Sequence, residues 1–226
     1  MKKQLVSIKA GILVAALLLS LSGAVQAQFV FTTNNGVITI TGYDGNPTTL
    51  NVPSTTNGFP VTIIGLGAFA NFHSLTTVTF PSTITNLGNG IFASCNNLTG
   101  VYFQGNAPSL GGFDVFFQDP NAIVYYLPGT KGWGSKLSGY PTVLWNPQAQ
   151  AGDGSFGVQS TQFGFNITGS SNLVIVVEAS TNLTSPVWSP VSTNTLDNFI
   201  GTNGMSYFTD PQWTNYSGRL YRFRSP

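Results

Sequence analysis

The chain repeats itself every 23 residues, and this periodicity limits its fold more than any other feature. Val61-Thr-Ile-Ile-Gly-Leu-Gly-Ala-Phe69 returns as Ile84-Thr-Asn-Leu-Gly-Asn-Gly-Ile-Phe92, a shift of 23. The same shift carries Leu75 to Leu98, Val78 to Val101 and Phe80 to Phe103. Upstream, Thr48-Thr-Leu-Asn-Val-Pro-Ser54 matches Thr76-Thr-Val-Thr-Phe-Pro-Ser82 at a shift of 28, the excess lying in a turn around Asn57-Gly58-Phe59-Pro60. Downstream, Val115-Phe116 follows Ile91-Phe92 by 24 and Val124 follows Val101 by 23. A fixed period means that each copy is one structural unit. Such a unit cannot bury its apolar face alone and must stack on its neighbours. Chance does not produce this register.

Each copy reads physically as one coil. Leu75-Thr-Thr-Val-Thr-Phe80 alternates, so Leu75 or Val78 and Phe80 can point inward while the threonines face water. Pro81 ends the strand because it cannot donate to a continuing ladder. Gly65 or Gly88 makes a corner, and Phe69 or Phe92 fills the interior. A period in the low twenties with Leu and Phe in fixed phase marks a leucine-rich repeat. The pattern Val-Thr-x-Ile-Gly-x-x-Ala-Phe, then Leu-Thr-x-Val-x-Phe-Pro, resembles the BspA-like family of bacterial leucine-rich repeats over about residues 42–108, with a weaker tail to about 145. Cys95-Asn-Asn-Leu98 fits the family's Cys-x-x-Leu; the copy at Asn71-Phe-His-Ser-Leu75 lacks the Cys. The resemblance implies a solenoid of secreted or surface proteins used in adhesion or protein binding, with no catalytic residues. About three turns are clear, short for such a family.

The rest of the chain divides by composition. Ala122 to Asn146 reads as a cap: a strand at Ile123–Leu127, a turn at Pro128-Gly129, a short helical turn from Trp133 to Leu137, and Trp133 with Trp145 covering the end of the coil. Polar, small-residue Gln148–Ser155 reads as a linker. Beyond it the period vanishes. Separated strands around Phe163–Ile167, Leu173–Ala179, Pro186–Leu196, Met205–Thr209 and Arg219–Arg224 predict an antiparallel sandwich. This part resembles a C-terminal module of secreted bacterial proteins, a resemblance that supports a boundary and no function. The fold class is thus mostly β, a short leucine-rich-repeat solenoid followed by an antiparallel β-sandwich domain. The expected division is 1–27 signal peptide, 28–147 solenoid with cap, 148–155 linker and 156–226 sandwich.

The signal rests on three parts: Lys2, Lys3 and Lys9, an apolar run from Ile12 to Leu21, and Val25-Gln26-Ala27 before the cut. That run is shorter than the roughly 20 residues that cross a bilayer. Secretion, to the medium or the cell surface, is the expectation, with no membrane insertion after cleavage. Of 8 Lys+Arg, Lys131, Lys136, Arg219, Arg222 and Arg224 remain past the signal, against 7 acidic residues, so the mature net charge is 5 − 7 = −2. No basic field exists to hold nucleic acid or an anionic membrane. Charged residues are only 7% of the chain, so Asn, Thr, Ser and backbone must wet the surface.

Catalytic chemistry finds no foothold. His73 is the sole histidine and falls on a repeat position suited to a surface turn. Cys95, the sole cysteine, takes the phase of Phe72 and reads as a small buried group. Asp114 and Asp119 are the one pair with any metal-binding potential, for calcium, but lie in no recognisable cradle. Arg222 and Arg224 fall with Leu220 on one face of the strand Arg219–Arg224 and read as a solvated face paired across to Glu178 or Asp210, against the alternative of a basic stripe for an anion. No cofactor is implied. The favoured function is binding of an extracellular protein or glycan through the repeat face. A carbohydrate reader stacking sugars on Trp133, Trp145, Trp188 or Trp213 is the second reading, and a hydrolase a remote third.

Overall fold

In the computed structural model, which describes residues 29–112, 114–197 and 204–226, the sequence period has become a spatial register. The signal expected at residues 1–27 lies outside the described residues. Thr77–Phe80 runs parallel to Gly100–Phe103 with Val78 opposite Val101 and Phe80 opposite Phe103. Gly100–Phe103 pairs in turn with Ile123–Tyr126, and Thr49–Asn51 joins the other side at the longer offset, Leu50 opposite Val78. A second parallel ladder links Ile63-Ile64 to Asn86-Leu87 and then to Ser109-Leu110. The 28-residue copy keeps register because its surplus folds into a small antiparallel hairpin, Thr55 opposite Pro60. The result is a solenoid of about 4 turns over residues 38–126.

Inside, the coils are joined by a column of aromatic rings. Phe69 and Phe92 have centroids 5.7 Å apart and Phe92 and Phe116 5.6 Å, both stacked. All three are fully buried, as are Leu75, Val78, Phe80, Leu98 and Val101. Offset aromatic contacts add about 0.5–1.5 kcal/mol per pair beyond area burial. Phe80 and Phe103 form a parallel file, 4.9 Å apart, that leans on Phe92.

Polar side chains repeat the register on the outside. Thr76 Oγ1 donates to the Thr48 carbonyl at 2.8 Å and Thr99 Oγ1 to the Thr76 carbonyl at 3.2 Å. Thr85 Oγ1 reaches Thr62 O, Asn97 Nδ2 reaches His73 O, and Asn89 Oδ1 accepts from Asp114 N. The corners are made by backbone: Gly65, Gly88 and Gly111 each donate at 2.7 Å to Ile40, Ile64 and Leu87. A Cβ on Gly88 would stand 2.7 Å from the Gly65 carbonyl carbon and the Leu66 nitrogen, so close passage of one coil over the next needs glycine there.

The ends are closed differently. At the start, Phe29–Asn34 folds back antiparallel on Val37–Tyr43. At the far end, Tyr140–Leu144 adds in parallel to Ile123–Tyr126. Trp133 covers the last coil as expected, stacked on Tyr126 at 5.1 Å and tilted against Phe103 at 5.1 Å. The helical turn expected from Trp133 to Leu137 is absent. Lys136-Leu137 instead pairs antiparallel with Tyr140-Pro141, because Ser138 and Gly139 both adopt positive φ, 49° and 87°, and so close a two-residue hairpin.

The described residues form two compact units, 29–144 and 145–226. Trp145, expected beside Trp133 in the cap, falls in the second. In that unit Gln162–Gly169 pairs with Gly204–Asp210 on one side and with Gln148-Ala149 and Gly157–Gln159 on the other. A second antiparallel sheet runs Ser189–Thr195, Val174–Ser180, Leu220–Arg224. The central strand Val174–Ser180 is buried almost throughout, as its continuous apolar run requires. Phe165 sits amid Phe156, Phe208, Tyr221 and Phe223. Residues 148–155 are not a free linker. Gln148-Ala149 is a strand, and the Asp153 carboxylate accepts from Ser155 N, Ser155 Oγ and Asn166 Nδ2. A polar segment needs no apolar face when side chains of this kind fasten it.

Two substitutions test the coil. Phe92→Ala opens a cavity in the middle of the ring column and should cost about 3–5 kcal/mol in denaturant unfolding. Gly88→Ala should destabilise clearly, whereas Gly152→Ala, which meets nothing within 4 Å, should leave the melting temperature unchanged. Equal effects would show that the corner has room to spare.

Candidate interaction face

One of the two six-stranded sheets of the solenoid, the one that carries Thr77–Phe80 and Gly100–Phe103, has an outer face that is open at its first coils. Since Val78, Phe80, Val101 and Phe103 point inward, their alternating neighbours point outward. Strand register then lines up two rows across the coils. One is Thr49, Thr77, Gly100 and Ile123; the other is Asn51, Thr79, Tyr102 and Tyr125. Neither row contains a charge. Thr49 and Asn51 are exposed and Thr77 and Thr79 partly so.

The second row ends in an aromatic step. Tyr102 and Tyr125 stack with centroids 4.7 Å apart and rings 12° from parallel. They are 8% and 6% exposed, and burial pushes both phenols above their ordinary range. Gly100 allows this: a Cβ there would come within 2.7 Å of the Tyr102 ring, so the ring lies back across its own strand. Sequence reasoning did not single out this pair. The signal was present, because Tyr102 and Tyr125 are one 23-residue period apart.

Each tryptophan considered as a stacking platform has its own surroundings. Trp133 has one ring face on Tyr126, and its Nε1 donates to the Gly105 carbonyl at 3.3 Å. Trp145 is buried with its indole nitrogen lacking a partner. Trp188 carries the Arg222 guanidinium 4.5 Å above its ring. Trp213 is half-buried and donates to Thr161 O at 3.0 Å. Each indole is engaged by the protein itself.

Arg222 and Arg224 are paired as expected, with Glu178, while Asp210 takes Arg219 instead. Arg219 meets Asp210 at 2.5 Å, and Arg222 and Arg224 both reach Glu178 at 2.6 Å. Tyr221 Oη also donates to Asp210, at 2.7 Å. Glu178 and Asp210 are buried, so these are the anchoring ends of the pairs. His73 lies exposed on a turn, its carbonyl accepting from Asn97.

Cys95 and Asp119 occupy the interior position that Phe72 holds in an earlier coil. Cys95 is buried, its Sγ 3.1 Å from the Phe69 carbonyl, and burial pushes its thiol up to about 12. Asp114 and Asp119 do not come together as a cation pair: Asp114 is in water and Asp119 is sealed in the core. Neither carboxyl oxygen of Asp119 has a hydrogen-bond partner, and burial pushes its acid up from 3.8 to about 6. Among the described residues no group of three or more His, Cys, Asp or Glu could hold a metal ion.

Residues 44–121 match the BspA type leucine rich repeat region in 6 copies. These coils are BspA-type leucine-rich repeats. The chain is similar to a leucine rich cell surface protein of Faecalibacterium prausnitzii A2-165, 32% identical over 43% of this chain and 28% of that one, with a TM-score of 0.39. A leucine-rich repeat protein from Bacteroides capillosus ATCC 29799 is 26% identical over 44% of this chain and 94% of that one, TM-score 0.33. The T. pallidum leucine rich repeat protein is 18% identical over 44% and 69%, TM-score 0.32. The chain therefore spans only 28% of the length of the F. prausnitzii protein. No curated protein matches the sequence.

Asp119 sets a pH dependence on the BspA-type solenoid. Its acid in the folded chain is weaker than in the unfolded one, so the folded state holds the proton more tightly. The stability tied to that proton is whole below 3.8 and is lost as pH rises through about 6, a change of about 2–3 kcal/mol. Asp119→Asn removes the ionisation. The stability difference between variant and parent should therefore grow in the variant's favour by that amount from pH 4 to pH 8 in urea titrations. A constant difference would mean that the carboxylate finds solvent.

Proposed function

We propose that the chain is a secreted or cell-surface binding module whose BspA-type solenoid engages an extracellular protein through the outer face of the sheet that carries Thr49–Asn51 and Thr77–Phe80. The observation that carries this reading is the open stretch of the two rows, Thr49, Asn51, Thr77 and Thr79, held in one register by parallel pairing and continued by the buried Tyr102–Tyr125 stack. Rigid strands keep such a row aligned without any ordering cost on contact. Its chemistry is that of short hydroxyl and amide side chains, which both donate and accept hydrogen bonds. The absence of charge on both rows leaves shape, hydrogen bonds and aromatics to do the recognising. The tripartite N-terminal pattern of residues 1–27 supports the secreted or surface setting. Binding, not catalysis, is the role these features fit. A glycan partner is the alternative occupant of the same face.

The test is capture of surface proteins from the producing cells on the immobilised chain. Thr79→Lys places a charge in the centre of the face and should weaken capture at least tenfold, since a buried unpaired charge is costly. Thr193→Lys, on an exposed strand position of the C-terminal unit, should leave it unchanged. Affinity should also hold between low and moderate salt, because screening has no charge pairs to act on. Capture that collapses with salt, or that ignores Thr79→Lys, would overturn the reading.

A further inference from the structure

The dipeptide Asn-Gly occurs at residues 35–36, 57–58, 89–90 and 203–204. The first three lie wholly among the described residues, in two different settings. Asn35-Gly36 closes the hairpin of Phe29–Asn34 and Val37–Tyr43, with Asn34 opposite Val37. Asn57-Gly58 closes the hairpin of Thr55-Thr56 and Phe59–Ile64, with Thr56 opposite Phe59. Both residues of each turn have positive φ, 49° and 76° in the first and 51° and 81° in the second, as a two-residue hairpin turn requires. All four are exposed. The two tips are neighbours: a Cβ on Gly36 would lie 3.9 Å from the ring of Phe59, the residue after Gly58.

Asn89-Gly90 is held between coils instead. The Asn89 carbonyl accepts from Gly67 N of the coil before, at 3.0 Å. Its Oδ1 accepts from Asp114 N of the coil after, at 3.1 Å. The side chain is also pressed against Gly112, where a Cβ would stand 2.6 Å from both Asn89 Cβ and Oδ1. It can turn only if the coils part.

These settings bear on a reaction that asparagine undergoes unaided. The backbone nitrogen of the next residue attacks the side-chain Cγ. The N–Cγ bond forms, the Cγ–Nδ2 bond breaks, and the proton of the attacking nitrogen leaves with Nδ2 as ammonia. Water then opens the cyclic imide at either carbonyl, giving aspartate or isoaspartate with no change of oxidation state. A following glycine favours the attack, because no Cβ crowds its nitrogen and its backbone rotates freely. Ring closure needs side chain and nitrogen to swing together, so it proceeds through local opening. At Asn35 and Asn57 the ladder pairs are made by the flanking residues, and an exposed turn of small polar residues opens at little cost. At Asn89, opening breaks contacts to two coils.

We propose that Asn35 and Asn57 form a paired site of spontaneous deamidation, and that coil stacking protects Asn89. Each conversion adds a negative charge to a stretch, residues 29–64, whose only charged residue is Asp44. Isoaspartate also adds a methylene to the main chain of a two-residue turn. The inference is independent of the partner proposed for the sheet face.

The test is a site-resolved time course on the full chain in mildly alkaline buffer, where the attacking nitrogen loses its proton more readily. Peptide mass mapping follows the three sites separately, and chromatographic retention tells aspartate from isoaspartate. In the folded chain Asn35 and Asn57 should each convert at least tenfold faster than Asn89, which must first open. In concentrated urea the three rates should agree within about threefold, since the dipeptide is then the same and the fold is gone. Asn89 converting as fast as the turn sites in the folded chain, or either turn site as slow as Asn89, overturns the proposal. A tenfold difference that persists in urea overturns it as well, because the cause would then lie in local sequence and not in the coils.

Discussion

The stacking of Phe92 between Phe69 and Phe116 is the constraint from which the rest of the solenoid follows. Three rings at 5.7 and 5.6 Å fix the distance between successive coils near the spacing that parallel strands adopt, about 4.8 Å along the hydrogen-bond direction. Ring column and strand ladder therefore reinforce one register. A slip by one residue would turn every inward side chain outward, and a slip by one coil would leave rings unpaired at both ends. The close passage at Gly88 belongs to the same constraint, since a coil pulled in by its rings leaves no room for a Cβ at the corner.

This also accounts for a composition with so few charges. In a solenoid each coil touches only its neighbours, so the polar groups along its sides can be satisfied by the coil before and the coil after. Threonine and asparagine suit that geometry because their short side chains reach one backbone carbonyl away. Thr76, Thr85, Thr99 and Asn97 each do so. Left-handed turn positions recur in step as well, at Asn71, Ser94 and Gln118, with φ of 64°, 64° and 68°. Such a surface gives recognition little long-range electrostatic character, whatever the partner.

The solenoid was legible in the sequence because parallel stacking makes sequence offset and spatial register the same quantity. Val78 faces Val101 in space for the reason that places them 23 apart in the chain. What lacked a period was read less well. The hairpin at Ser138-Gly139 was missed, although a two-residue turn of small residues is a hairpin signal; the flanking Trp133 and Leu137 suggested helical spacing instead. Gln148–Ser155 was read as a linker from polarity alone, and polarity does not reveal that Asp153 reaches Asn166, 13 residues on. The tryptophans attracted the site reading by residue type, whereas register, which only pairing reveals, gathers Tyr102 and Tyr125. The ion pairs of Arg222 and Arg224 were readable because the chain offers so few acids to pair with.

The column Phe72, Cys95, Asp119 shows how a repeat array ends. One interior position passes from a large ring to a small thiol to a carboxyl as the coils approach the closing strands. An interior coil has neighbours on both sides, and a charge there would disrupt two interfaces. In the last full coil the same position faces a neighbour on one side and the cap on the other. A carboxyl can be kept there as a neutral acid, at the cost of a proton that neutral pH tends to remove. The coil that carries Asp119 also leads, through the Ala122 N–H bound to the Asp119 carbonyl at 3.1 Å, directly into the strand bearing Tyr125. The buried carboxyl of Asp119 thus adjoins, along the chain, the aromatic end of the outer row.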